Sequence, residues 1–262
     1  MKRTIKEIAE RMTSSAQYTV FVVGDSITEG TGSTDAEHTY TAYFARELVK
    51  HFEDRCVVRY DGQRYPDSNA ELLPLMTYGE PIDVGHGDGG MLTVVRCGIG
   101  GNTVRRLLKR RDDFIGKKID GRTADLFVVM VGINDALSAD PAKYVSADLF
   151  AEQLNELIGA LADCHPNADL ILMTPTYNDS GKAKISHLAP YADALRRLCC
   201  VNGIPLVDQH RLWMKHLVVG ASNYGQGDWL CGAEGDSCHP SNLGHQKIAQ
   251  ALFDALFLSD NG

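Results

Sequence analysis

The stretch Tyr18-Thr19-Val20-Phe21-Val22-Val23-Gly24-Asp25-Ser26-Ile27-Thr28 decides the fold. Residues 18–23 are almost all β-branched or aromatic, and they do not alternate with polar side chains. That pattern marks a strand covered on both faces, which is the environment of a parallel sheet. The run stops abruptly at Gly-Asp-Ser, so the chain turns there. Working outward, residues 92–96, 126–131, 170–174 and 204–207 repeat the short apolar pattern. Between them, residues 40–52 show helical spacing. So do residues 147–162, with Leu149, Phe150, Leu154, Leu157, Ile158 and Leu161 on one face. Residues 188–200 and 242–257 predict further helices. Strands alternating with helices give βαβ units, hence an α/β fold: a parallel sheet in a three-layer α/β/α sandwich.

One segment departs from this rhythm. Residues 54–90 hold a short apolar run at 57–60, prolines at Pro66, Pro74 and Pro81, and the cluster Gly85-His86-Gly87-Asp88-Gly89-Gly90. It reads as an insertion within a single domain spanning 1–262, lying over the sheet edge or the site. No internal repeat is visible.

The bulk properties narrow the function. With 262 residues, 44% hydrophobic and 23% charged, the chain has the make-up of a folded protein with a substantial core. Its 34 acidic against 26 basic side chains, a net charge of -8, disfavour a phosphate backbone as partner, so no nucleic acid is expected. No stretch approaches the roughly 20 apolar residues of a membrane span. Residues 1–12 carry charges throughout and lack the apolar centre of a secretory signal, so the expected location is cytoplasmic. Seven cysteines, none paired at zinc or redox spacing, fit reduced thiols in such a compartment. Cys231 and Cys238 flank the catalytic loop and could meet in space, but a reducing compartment disfavours a bridge between them. No cofactor and no metal are expected.

Four patches carry chemistry, and each falls after a strand or just before the last helix. They are Gly24-Asp25-Ser26-Ile27-Thr28, Gly98-Ile99-Gly100-Gly101-Asn102-Thr103, Gly132-Ile133-Asn134-Asp135 and Asp236-Ser237-Cys238-His239-Pro240. In a parallel sheet, ligands sit beyond the carboxyl ends of the strands, so patches distant in sequence would meet on one rim. A serine hydroxyl attacks well only when a base removes its proton, and histidine is the usual base. A carboxylate on the other ring nitrogen fixes the tautomer and steadies the imidazolium. Ser26 is therefore the candidate nucleophile, His239 the base and Asp236 its orienting acid. The developing oxyanion needs preplaced donors. The Ser26 and Gly98 backbone N–H groups and the Asn134 amide are the natural three. His245 lies close by but has no aspartate three residues earlier, so it is expected to face the helix or the rim.

Each patch also has a bland reading. Gly-Asp-Ser alone is more often a capping turn. Residues 98–101 lack the spacing of a dinucleotide fingerprint. Asn134 serves equally as a helix cap, and His239-Pro240 as a helix start. The four together, in this order, favour catalysis. An α/β-hydrolase would need a Gly-x-Ser-x-Gly elbow, which is absent. A metal hydrolase would need a ligand cluster, and His86 with Asp88 reads better as an exposed turn.

The pattern resembles the SGNH hydrolases, also called the GDSL family. Ser26 in Gly-Asp-Ser matches the first block, Gly98 the second, Asn134 in Gly-Ile-Asn-Asp the third, and Asp236 with His239 the last. The ending Pro240-Ser241-Asn242-Leu243-Gly244-His245 looks like that block too. The resemblance covers roughly residues 19–252. It implies a flavodoxin-like sandwich of about five parallel strands and a serine esterase acting on a small-molecule or oligosaccharide ester. Arg96 stands where the family often has asparagine, which predicts different bonding in that turn. The expected acyl group is short, acetyl above all, because the 54–90 segment would narrow the cleft. A lysophospholipase or thioesterase activity, or a non-catalytic carbohydrate-binding module on the same fold, are the alternatives. Nothing in the sequence fixes the oligomeric state.

Overall fold

Strand β1 (Gln17–Gly24) is buried from Tyr18 onward, as its unbroken apolar run requires. In the computed structural model, which describes residues 3–64, 76–137, 145–176, 188–219, 229–230 and 239–258, it lies at the centre of the sheet. Parallel partners flank it: β5 (Met91–Gly98) on one side and β6 (Leu126–Met130) on the other. Beyond β6 run β7 (Asp169–Met173) and the two-residue β8 (Leu206–Val207), both parallel. These five strands follow the order β5-β1-β6-β7-β8. Counted along the chain, that is 2-1-3-4-5, the flavodoxin arrangement, with its crevice where the order reverses at β1.

The 54–90 segment extends this sheet rather than lying across it. Strand β2 (Cys56–Arg64) pairs parallel with β5. The short β3 (Met76–Tyr78) and β4 (Ile82–Gly85) pair antiparallel with β2. Residues 65–75 of this segment lie outside the described residues. The segment was expected to narrow the cleft, but its glycine cluster sits at the opposite end of the sheet from the rim. The Cys56 N–H donates to the Gly90 carbonyl and the Met91 N–H to that of Ala16, so the cluster meets the amino ends of β1, β2 and β5. A side chain on Gly87 or Gly89 would collide with Asp54, which the cluster wraps.

Helices cover both faces. On one side α1 (Ile5–Ser14), α3 (Tyr40–His51) and α9 (Asn242–Phe257) pack together. On the other lie α4 (Val104–Lys109), α5 (Ile133–Leu137), α6 (Ala147–Cys164) and α7 (Leu188–Asn202). Helix α8 (Gln209–Val219) follows β8. The α6 stripe buries Phe150, Leu154, Leu157 and Leu161, whereas Leu149, expected on that face, is exposed. No described helix is long and apolar enough to cross a membrane.

Candidate active site

The turn after β1 is built by its own short side chains. Asp25 caps the four-residue helix α2 (Ser26–Glu29), its carboxylate accepting from the Ile27 N–H at 3.0 Å. Gly30, at φ 108°, closes the helix in the left-handed region that favours glycine. Ser26 is the first residue of α2 and is about nine-tenths buried, 9% exposed. Its hydroxyl oxygen lies 2.9 Å from His239 Nε2, a hydrogen bond between residues 213 apart in sequence. His239 precedes α9, and its segment is held by a bridge between Leu230 and Pro240 and by the Ser241 N–H on the Trp229 carbonyl. Ser241 then caps α9 through the Gly244 N–H.

Gly98 ends β5 directly beside Gly24 in the parallel register. A Cβ there would strike the backbone of Thr28 and Glu29. Only glycine lets the strand end lie this close to α2, against the turn that carries Ser26. The neighbouring turn is braced across the strands. The Asn102 amide donates to the Gly24 carbonyl at 2.8 Å, and the Asn102 carbonyl accepts from Asn134 Nδ2 at 2.9 Å. Asn134 sits in the first turn of α5, after Gly132 at φ 126°. Its amide carries two hydrogens, of which Asn102 takes one. Asp135, beside it, accepts from the Val104 N–H at 3.2 Å, and burial pushes its carboxyl up to about 7. Asp25 is likewise pushed up to about 7, first by burial and further by the nearby Asp135 charge. Glu29 turns its carboxylate onto the Gly100 N–H at 2.6 Å.

Ser26, Gly98, Asn134 and His239 are thus brought to one rim. Asp236 lies outside the described residues, as do Cys231 and Cys238. Asn102 is a joint of the site that motif reasoning passed over. Its signal was its place in a glycine-rich strand end, but its partners come from the end of β1 and the start of α5. Arg96 reaches from β5 to the end of α2. Its guanidinium donates to the Glu29 carbonyl at the end of α2 and to Asp61 Oδ1 at 3.2 Å. His245 does not face the rim. It is fully buried beneath it. Among the described residues no group of three or more His, Cys, Asp or Glu is placed to hold a metal ion.

Solved structures share this architecture. LAE5, described as an alpha/beta hydrolase enzyme from the metagenome of Lake Arreo, Spain, superposes with a TM-score of 0.62 at 24% identity. That match covers 91% of this chain and 94% of the other. Axe2, an acetylxylan esterase from Geobacillus stearothermophilus, gives 0.60 at 23% identity, covering 92% and 94%. A lipase/acylhydrolase from Enterococcus faecalis gives 0.58 at 18% identity, covering 90% and 93%. Comparison with curated protein sequences finds no match. The family model described as GDSL-like Lipase/Acylhydrolase matches residues 20–252, nearly the whole sheet and its helices. The chain therefore belongs to the GDSL-like lipase/acylhydrolase family and is a carboxylic ester hydrolase.

Proposed function

We propose that the protein cleaves short-chain, above all acetyl, esters of small molecules or oligosaccharides through a triad of Ser26, His239 and Asp236. The observation that carries this reading is the 2.9 Å contact between the Ser26 hydroxyl and His239 Nε2. In this mechanism Ser26 Oγ attacks the ester carbonyl carbon while His239 Nε2 takes the hydroxyl proton. Asp236 accepts from the other ring nitrogen and steadies the imidazolium. The carbonyl oxygen becomes an oxyanion, met by the Ser26 and Gly98 N–H groups and by the second Asn134 amide hydrogen. Collapse breaks the bond to the alcohol oxygen, and His239 returns its proton to the leaving alcohol. Water, deprotonated by His239, then attacks the acyl-serine; collapse breaks the bond to Ser26 Oγ, His239 returns the proton to that oxygen, and the acid leaves. No step calls for a metal or cofactor.

The short-chain assignment leans on the neighbours, since Axe2 is described as an acetylxylan esterase. The glycine cluster, at the far end of the sheet, lends it no support. An acyl-length series of nitrophenyl esters tests it. Acetyl and butyryl esters are expected to turn over far faster than chains of about ten carbons, because a methylene contributes ~0.8 kcal/mol only where a pocket receives it. A rate that climbs steadily with acyl length would move the protein to the lipase or thioesterase side of the family.

A further inference from the structure

His245 is a buried, polar side chain that the proposed chemistry does not use. Its ring lies between the two ends of the loop that follows the candidate nucleophile. Nδ1 accepts from the Tyr40 N–H at 3.2 Å, the first backbone donor of α3, which has no partner within that helix. Because Nδ1 accepts, the ring hydrogen of the neutral imidazole is on Nε2, which donates to the Thr31 carbonyl at 3.2 Å. Burial drives the ring pKa down to about 4, in keeping with this single neutral tautomer.

Both ends of that loop lead back to Ser26. The Thr31 N–H donates to the Ser26 carbonyl at 2.9 Å. Tyr40, whose ring stacks on His245 at 12° and 6.3 Å between centroids, holds the Thr28 hydroxyl of α2 at 2.8 Å through its own. The middle of the loop meets the histidine side of the site. A Cβ on Gly32 would come within 2.9 Å of the His239 Cβ and would overlap the Pro240 carbonyl. Two residues on, the Thr34 N–H donates to Asn242 Oδ1 at 2.9 Å, and Asn242 Nδ2 returns a bond to Thr34 Oγ1 at 3.0 Å. His245 is on the same helix as Asn242, one turn further along, and its N–H closes on the Ser241 carbonyl.

We propose that His245 is a positioning residue: it clamps the 31–40 loop so that the turn bearing Ser26 and the segment bearing His239 stay in register. The proposal rests on the reading of Ser26 and His239 as the reacting pair. Ser26 approaches from β1 and His239 from the start of α9, and a hydrogen bond between two such separate segments is only as well aimed as their spacing. Displacement by about 1 Å is enough to cost roughly 100-fold in rate.

The test compares His245→Phe, which keeps a flat ring but removes both heteroatoms, with His245→Gln, which keeps an acceptor and a donor. With folding verified by circular dichroism, His245→Phe is expected to lower kcat on nitrophenyl acetate by about 10- to 100-fold with KM within about twofold. Reaction of Ser26 with a fluorophosphonate should slow in proportion. His245→Gln should recover part of both rates, which a purely space-filling role would not allow. A folded His245→Phe with wild-type kcat overturns the proposal. If His245→Phe does not fold, Asn242→Ala, which cuts the half-exposed second tie of the same loop, decides instead. A fall in its kcat at constant KM supports the clamp, and an unchanged kcat refutes it. Ser26→Ala run alongside separates the two ideas: hydrolysis that survives there removes the reacting pair itself, whatever His245 does.

Discussion

The two ends of the sheet use similar residues to opposite effect. At the amino ends of the strands, polar groups close on one another to fasten helix α1. Asp169, buried, takes Arg3 at 2.7 Å, Arg11, and the Tyr18 hydroxyl at 3.2 Å. Arg55 donates to the carbonyls of Met12, Thr13 and Ser15 at the end of α1. Here charge meets opposite charge or a helix end, and each group serves the fold. At the carboxyl ends, bonds run from Gly24 at the end of β1 through Asn102 to Asn134 at the start of α5, and on the same rim the Ser26 hydroxyl meets His239. A hydroxyl on an imidazole is a weak way to hold a fold together. It is a good way to make a nucleophile. Polar residues of the same kind therefore read as structural or chemical according to what they face.

That contrast breaks down if substitutions at the two ends behave alike. The larger effect is expected at the carboxyl end. Asn134→Ala should lower kcat by about 10²- to 10³-fold with little change in KM, because an oxyanion donor acts on charge that appears only during attack. Steady-state kinetics on nitrophenyl acetate check it. A raised KM with kcat preserved would make Asn134 a ground-state binding residue. The smaller effect belongs to the amino end, where Asp169→Asn keeps the shape but removes the charge shared by Arg3 and Arg11. It should destabilise the protein by about 2 kcal/mol in chemical denaturation, below the full cost of breaking a buried pair since both arginines are partly exposed. Its kcat should stay within twofold of wild type. A large loss of kcat in a folded Asp169→Asn would mean that the two ends are coupled.

The sequence disclosed those features that depend on a short window. Buried strands announce themselves by runs such as Val20-Phe21-Val22-Val23, and α9 occupies the residues expected of it, Asn242–Phe257. Helix α1 was legible but passed over: Thr4 and Glu7 form a capping box at its start. The features that stayed hidden depend on distant partners. Strand β2 contains Arg59, an unlikely residue for a strand buried on both faces until Glu37 and Asp61 are brought to its guanidinium. The glycine cluster belongs to the segment expected to narrow the cleft, yet its need for glycine comes from the close passage of Asp54 and Ala16 at the opposite end of the sheet. His245 looked peripheral because nothing local shows that the Thr31 carbonyl and Tyr40 N–H converge on it. Ser26 and His239 could be paired in advance because a serine nucleophile calls for a histidine base, and the structure sets the two 2.9 Å apart.

The central claim is that Ser26 is a nucleophile activated by His239, and covalent capture tests it most directly. The protein is treated with a fluorophosphonate at neutral pH, digested, and mapped by mass spectrometry, beside His239→Ala and Ser26→Ala. One adduct is expected, on the peptide containing Ser26. It should form at least about 10³-fold more slowly in His239→Ala, since such residues act as a unit, and it should be absent in Ser26→Ala. Labelling of Ser26→Ala at the wild-type rate, or of His239→Ala without slowing, would contradict the account.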